Sequence, residues 1–175
     1  MTCADIPPVE CSETATAVSY RLATPTDELH IITAFSRMLQ ELEPLGHDVL
    51  PTEANVDLFW ERVFLPALAS GRHGVVLAFA EGECVGALIA TGEKTPVQVP
   101  AGRATLHALW VHPAHRKQGV ATALHELAAE TLLTAGYTQL LSHVLMRNSA
   151  GLATQLHAGA RPLAYLTCIE LKGAM

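Results

Sequence analysis

The 175-residue chain lacks paired cysteines: Cys3, Cys11, Cys84 and Cys168 are scattered, with no CxxC and no spacing that gathers metal ligands. This excludes a disulfide framework and a cysteine zinc site, and a reducing, cytoplasmic compartment is expected. A membrane-length apolar run is also missing. The longest, Val75 to Ala80, is far short of the roughly 20 residues that a helical span needs, so no membrane partner is expected. Excess positive charge is absent too. The net charge is -6, and because Lys and Arg supply most of the affinity for nucleic-acid phosphates, no nucleic-acid partner is expected. No internal repeat, low-complexity tract, Walker-type GxxxxGK loop or three-glycine dinucleotide fingerprint occurs.

Half of the residues are hydrophobic, enough for one domain with a full core. Residues 1–17, MTCADIPPVECSETATA, read as a polar leader without the apolar stretch of an export signal, followed by a domain over 18–175. Val18 to Leu22 alternates as a strand, and an amphipathic helix follows from Thr26 to near Glu43. A second helix is expected from Thr52 to Ser70, bent or divided by Pro66. The runs 75 to 80 and 84 to 90 form a hairpin around a three-residue loop, Glu81 to Glu83. A strand from Arg103 to Val111, a helix from Val120 to Gly136 and a strand from 139 to 145 make a βαβ unit with parallel strands. A helix from Ser149 to Ala158 and a strand from Leu163 to Leu171 complete an α/β fold with a mixed sheet.

Charge is uneven along the chain. Between Asp27 and Glu61 acids face a single base, Arg37, whereas Arg103, Arg116 and Lys117 stand in a stretch without acids. The acidic helices suit a cationic molecule, or they are simply solvated faces. The segment HPAHRKQGVATAL, from His112 to Leu124, has no Ser, Thr, Asp or Asn at 116–119 to cap the helix that begins near Val120. Its first amides are left open behind two basic side chains and Gly119. On spacing alone, a phosphate cradle and an ordinary basic helix start fit equally well.

The longer run LWVHPAHRKQGVATAL resembles the acyl-CoA-binding signature of the GCN5-related N-acetyltransferases (GNAT). That signature is an L-x-V-x-P strand end followed by R-x-x-G-x-A, matched by Leu109, Val111, Pro113, Arg116, Gly119 and Ala121. The element order from Val18 to Leu171 is similar as well. The resemblance implies a single-domain fold in which two parallel strands, here 105–111 and 139–145, splay apart to admit a thioester. It implies that Gln118, Gly119, Val120, Ala121 and Thr122 contact the pyrophosphate of acetyl-CoA, with Arg116 and Lys117 also among the cofactor-binding residues. Leu109, Val111 and Asn148 then meet its arm, and an amide at or next to Val111, on a strand that is usually bulged, receives the oxyanion. No metal is expected, since Pro113 breaks the helix that would align His112 and His115 and no third ligand stands nearby. A homodimer is the family habit.

The chain departs from the pattern seven residues past Asn148, where the family commonly carries a tyrosine that protonates the leaving thiolate and Gln155 stands instead. For the proton of the attacking amine, LHALWVH offers His107. It is similar to the arylalkylamine branch of the family, in which a histidine at this place acts as base through water. His125, His143 and His157 are accounted for by packing or exposure, with His157 as a reserve acid. Cys84 and Cys168 have no adjacent base, which favours direct attack over an acyl-enzyme. The expected activity is acetyl transfer from acetyl-CoA to the primary amine of a small molecule. The competing reading is a non-catalytic acyl-CoA-binding or sensing module of the same fold.

Overall fold

The computed structural model describes residues 17–46, 56–92 and 102–163. Strand β1 (Val18–Leu22) leads through a tight turn into helix α1 (Glu28–Leu42). Helix α2 (Val56–Phe59) passes through a widened turn, Trp60–Phe64, into α3 (Leu65–Ser70). Then come β2 (Val76–Ala80), β3 (Glu83–Gly92), β4 (Arg103–Val111), α4 (Val120–Thr134), β5 (Gln139–Ser142) and α5 (Ser149–His157). The sheet order is β1-β2-β3-β4-β5, antiparallel throughout except for the parallel β4–β5 pair. Thr52 to Asn55 and most of the expected last strand, including Cys168, lie outside the described residues, as does the leader up to Thr16.

The sheet is covered on both faces, which is why β2 and β3 read as continuous apolar runs rather than alternating ones. Leu77, Ala87, Ile89 and Trp110 pack with Ile31, Phe35 and Phe64 of the helices on one side. Val76, Leu88 and Ala90 meet Leu124, Ala128 and Leu132 of α4 on the other. The buried stripe of α1, with Ile31, Ala34, Phe35 and Leu39, has the spacing of a helix with one apolar face. Among the described residues, no helix is long and apolar enough to cross a membrane.

The expected helix is divided ahead of Pro66: a π-type turn, in which the Leu65 amide reaches back to the Trp60 carbonyl, separates α2 from α3, and the proline falls in the first turn of α3. Two elements differ from the sequence-based expectation. The hairpin turn has two residues, since Glu83 pairs with Ala80, and Glu81 and Gly82 both take positive φ, 51° and 84°. That is the pattern of a type I′ turn, whose twist matches that of the flanking strands. Finally, β5 stops at Ser142 rather than 145, because its partner strand turns away there.

Asp27 ties the first strand to the first helix. Its carboxylate accepts from the Arg21 guanidinium at 2.8 and 2.6 Å and from the Thr24 amide and hydroxyl at 2.8 and 2.9 Å. Chiefly through Arg21, and against the opposing effect of its own burial, the carboxyl is held well below the usual range. Asp27→Ala is expected to cost about 2 kcal/mol at neutral pH, within the range for hydrogen bonds to a charged group and trimmed by the exposure of Arg21. The folded pKa lies below the unfolded one, so this stabilisation is present above the unfolded carboxyl pKa and is lost as pH falls through the folded value. Urea unfolding of both proteins from neutral to acid pH checks it; the gap between them should narrow on acidification.

Candidate active site

The site begins where two strands part. β4 and β5 pair from Arg103↔Gln139 to Leu106↔Ser142 and no further, while β4 continues along β3 as far as Gly86↔Val111. The β4–β3 register explains the parting. Ile89 faces Ala108 but Ala90 faces Leu106, so His107 is an extra residue, a bulge that bends β4. Past it, among the described residues, 107–111 have no strand beside them on the β5 side. A cavity of about 730 Å³ occupies this opening, with Leu109 and Val111 on one wall, Ser142 and His143 on the other, and Met38, Glu41 and Leu42 of α1 across it.

At one end of the cavity lies the start of α4. Pro113 ends the strand, a turn over Pro113–His115 follows, and Lys117 and Gly119 adopt positive φ, 60° and 82°. Gly119 occupies the cap position, and no side chain bonds to the first turn. Inside the helix the Ala123 amide meets the Gly119 carbonyl at 3.0 Å. The amides of Val120, Ala121 and Thr122 precede it and have no acceptor within the helix. These three residues, Gly119 and Lys117 line the cavity. Open amides, left-handed backbone and the positive end of a helix dipole are features that suit an anion.

The side chains of two residues expected at the cofactor have partners within the protein. Gln118 is not among the lining residues and donates its side-chain amide to the Ala114 carbonyl at 2.9 Å, closing the loop on itself. Arg116 lines the cavity but is tied down, with Nε donating to the Val111 carbonyl at 2.8 Å and Nη2 to Glu41 Oε1 at 2.5 Å. The same Glu41 oxygen accepts from the Trp110 indole at 3.1 Å. Glu41, on α1, thus clamps the loop to β4; part of the acidic stretch is internally neutralised. Asn148 caps α5, its Oδ1 accepting from the Gly151 amide at 2.8 Å, and it also borders the cavity. His112 accepts from the Ala114 amide, and no metal-ligating cluster occurs among the described residues.

His107 borders the cavity from the bulge. Its Nε2 shares a 2.7 Å hydrogen bond with the hydroxyl of buried Thr91, and its ring lies 5.6 Å from Phe64 and 6.3 Å from Phe59. Burial, and secondarily the nearby His143, pushes the imidazole down to about 4. His107 is therefore neutral at physiological pH, with one ring nitrogen already engaged. Cys84 is held by its neighbours, donating to the Gly86 carbonyl, and burial pushes its thiol up, against the thiolate that a nucleophile needs.

Gln155 also lines the cavity, on the α5 side. Its carbonyl accepts from Ser142 at 3.5 Å, and its amide lies 3.4 Å from His125 Nε2. His125 Nδ1 faces the Ala121 carbonyl at 2.9 Å, which can only accept, so Nδ1 carries the proton and Nε2 is the acceptor for Gln155. The glutamine braces α5 against α4 and β5 and has no acidic proton to give. Gln155→Ala is expected to lower kcat by less than about tenfold, in keeping with the loss of one or two weak hydrogen bonds. Steady-state kinetics check this; a loss of several orders of magnitude with donor affinity intact would give the amide a chemical role.

This chain and its fold are matched among known proteins. The family model "Acetyltransferase (GNAT) family" matches residues 35–156. The chain belongs to the GNAT acetyltransferase family. Among solved structures, a GCN5-related N-acetyltransferase from Ralstonia eutropha JMP134 is 21% identical, with a TM-score of 0.70 over 88% of this chain and 99% of that one. The aminoglycoside acetyltransferase AAC(6')-Iy, in complex with a CoA bisubstrate analogue, is 17% identical, with a TM-score of 0.67 over 90% and 99%. A ribosomal-protein-alanine N-acetyltransferase from Brucella melitensis biovar Abortus 2308 is 18% identical, with a TM-score of 0.60 over 89% and 100%. No curated protein sequence gives a significant match. The GNAT domain match contains the whole described opening from Leu106 to Gln155.

Proposed function

We propose that this GNAT protein transfers an acetyl group from acetyl-CoA to the primary amine of a small molecule by direct attack. One observation carries the reading: the unpaired edge of β4, residues 107–111, leads straight to the uncapped amides of Val120 to Thr122 along one cavity. An extended pantetheine arm suits an open strand edge, and a pyrophosphate suits the helix start. Leu109 and Val111 accompany the arm, Lys117 and the amides of Gly119 to Thr122 hold the phosphates, and Asn148 meets the arm from the other wall. Arg116 acts indirectly, through the Val111 carbonyl and Glu41.

In the reaction the neutral amine nitrogen bonds to the thioester carbon, the carbon–sulfur bond breaks, and coenzyme A leaves as a thiolate that takes up a proton. The Val111 amide, on the open edge of β4, steadies the developing oxyanion, since that of His112 is committed to the Val85 carbonyl at 2.8 Å. The buried, unactivated Cys84 supports attack without an acyl-enzyme, and the reaction needs no metal. Among the described residues Cys84 is in no disulfide, which suits the cytoplasm.

Incubation with acetyl-CoA and a panel of alkyl, aryl and amino-sugar amines, read by mass spectrometry, tests the proposal. Aminoglycosides belong in the panel because several structural neighbours are named for them. The expected result is one acetyl group added to an amine, with stoichiometric coenzyme A. Tight donor binding without any acetylated product would favour the binding module instead.

A further inference from the structure

The last rung of the parallel pair joins Leu106 to Ser142, so the next residues on the two strands are His107 and His143, one on each side of the opening. Both line the cavity. Their surroundings differ: His107 is fixed to Thr91 and packed against Phe64, whereas His143 is exposed on chain that has left the sheet. The geometry points to His143 as the group that takes the proton of the acceptor amine, with His107 as its neutral partner across the opening. This inference rests on the acetyl-transfer reading above.

A positive ring at His143 disfavours a second positive ring at His107 across the opening. His107 is the one that stays neutral, since burial and the proximity of His143 both oppose its protonation. The other titratable groups lining the cavity are Glu41, His115, Arg116, Lys117 and His157. Glu41 and Arg116 are paired with each other. His115 and Lys117 belong to the loop before α4, and His157 ends α5. None of the five stands where the strands part. The protons balance as follows. The incoming ammonium gives one proton to His143, directly or through water, and the neutral amine attacks; its second proton reaches the departing sulfur, and His143 returns its own to solvent.

The test compares pH profiles of kcat/KM for the wild type, His143→Gln and His107→Asn with the best amine of the panel. Donor affinity and melting temperature are measured for each. His143→Gln is expected to keep its fold and donor affinity, lose at least ~100-fold in kcat/KM at neutral pH, and lose the acidic limb, recovering partly where the free amine is already neutral. His107→Asn should retain the limb. A second readout needs no turnover: in His143→Gln the His107 ring protons, followed by NMR, should titrate at higher pH than in the wild type. Wild-type turnover with an unaltered His143→Gln profile, or a limb that disappears with His107 instead, overturns this assignment alone. A wild type that binds acetyl-CoA but acetylates no amine overturns the transferase reading, and this assignment with it.

Discussion

Gly119→Val is expected to weaken acetyl-CoA binding by tenfold or more while leaving a folded protein. The reason lies in the backbone, not in crowding: a Cβ at Gly119 would meet nothing within 4 Å, but φ there is +82°. A β-branched residue in this left-handed region costs on the order of 1–2 kcal/mol. The chain can relieve that strain by rotating the loop, and rotation would turn away the amides of Val120 to Thr122. The helix itself survives, since Val120, Leu124, Ala128 and Leu132 anchor it in the core. The open space also places a new side chain where the pyrophosphate would lie, and a loss of ~1.4 kcal/mol is already tenfold in affinity. Calorimetric titration with acetyl-CoA, alongside thermal unfolding, checks both halves; unchanged affinity in a folded variant would remove the helix start from the donor site. Gly119→Ala, with the same φ penalty in lesser degree and little bulk, should fall between the two.

The helix start at Gly119 was legible in the sequence because it is local. Pro113, Gly119 and the missing cap at 116–119 act within one turn of chain, and the helix start they specify is present. The opening between the strands was legible only through the family resemblance, and its cause was not. The bulge at His107 arises from how β4 registers on β3, a property of two strands together that neither one displays. The same holds for Glu41, whose bonds to Trp110 and Arg116 span 69 and 75 residues. It reads in the sequence as one more acid on a solvated helix. In the sequence, packing or exposure accounts for His143, and it is exposed; only the parallel register sets it opposite His107. Even the hairpin turn turned on pairing, since Glu83 belongs to the loop by composition and to β3 by its bond with Ala80.

His107→Ala separates a positioning role from a basic one. Removing the ring leaves the hydroxyl of Thr91, 3% exposed, without its 2.7 Å partner, and takes away contacts with Phe59 and Phe64. An unsatisfied buried group costs about 1–3 kcal/mol, and the cavity adds to it, so stability should fall by roughly 2–4 kcal/mol. The stability loss has a pH dependence of its own. Because the folded pKa of His107 lies below the unfolded value, near ~6.5, the neutral ring stabilises the fold above that value. That contribution is lost as pH falls through about 4. Activity should drop as well, by about ten- to a hundredfold, because the bulge that holds the strands apart loses its anchor on β3. The drop should be uniform in pH across the range in which the amine is titrated. A base with a pKa near 4 would instead place the acidic limb of kcat/KM far below neutrality, and its removal would abolish that limb. Melting temperature and the pH profile of the same variant therefore decide the matter: a stable His107→Ala protein that has lost the limb makes His107 the base, and a destabilised one that keeps it makes His107 the brace of the opening.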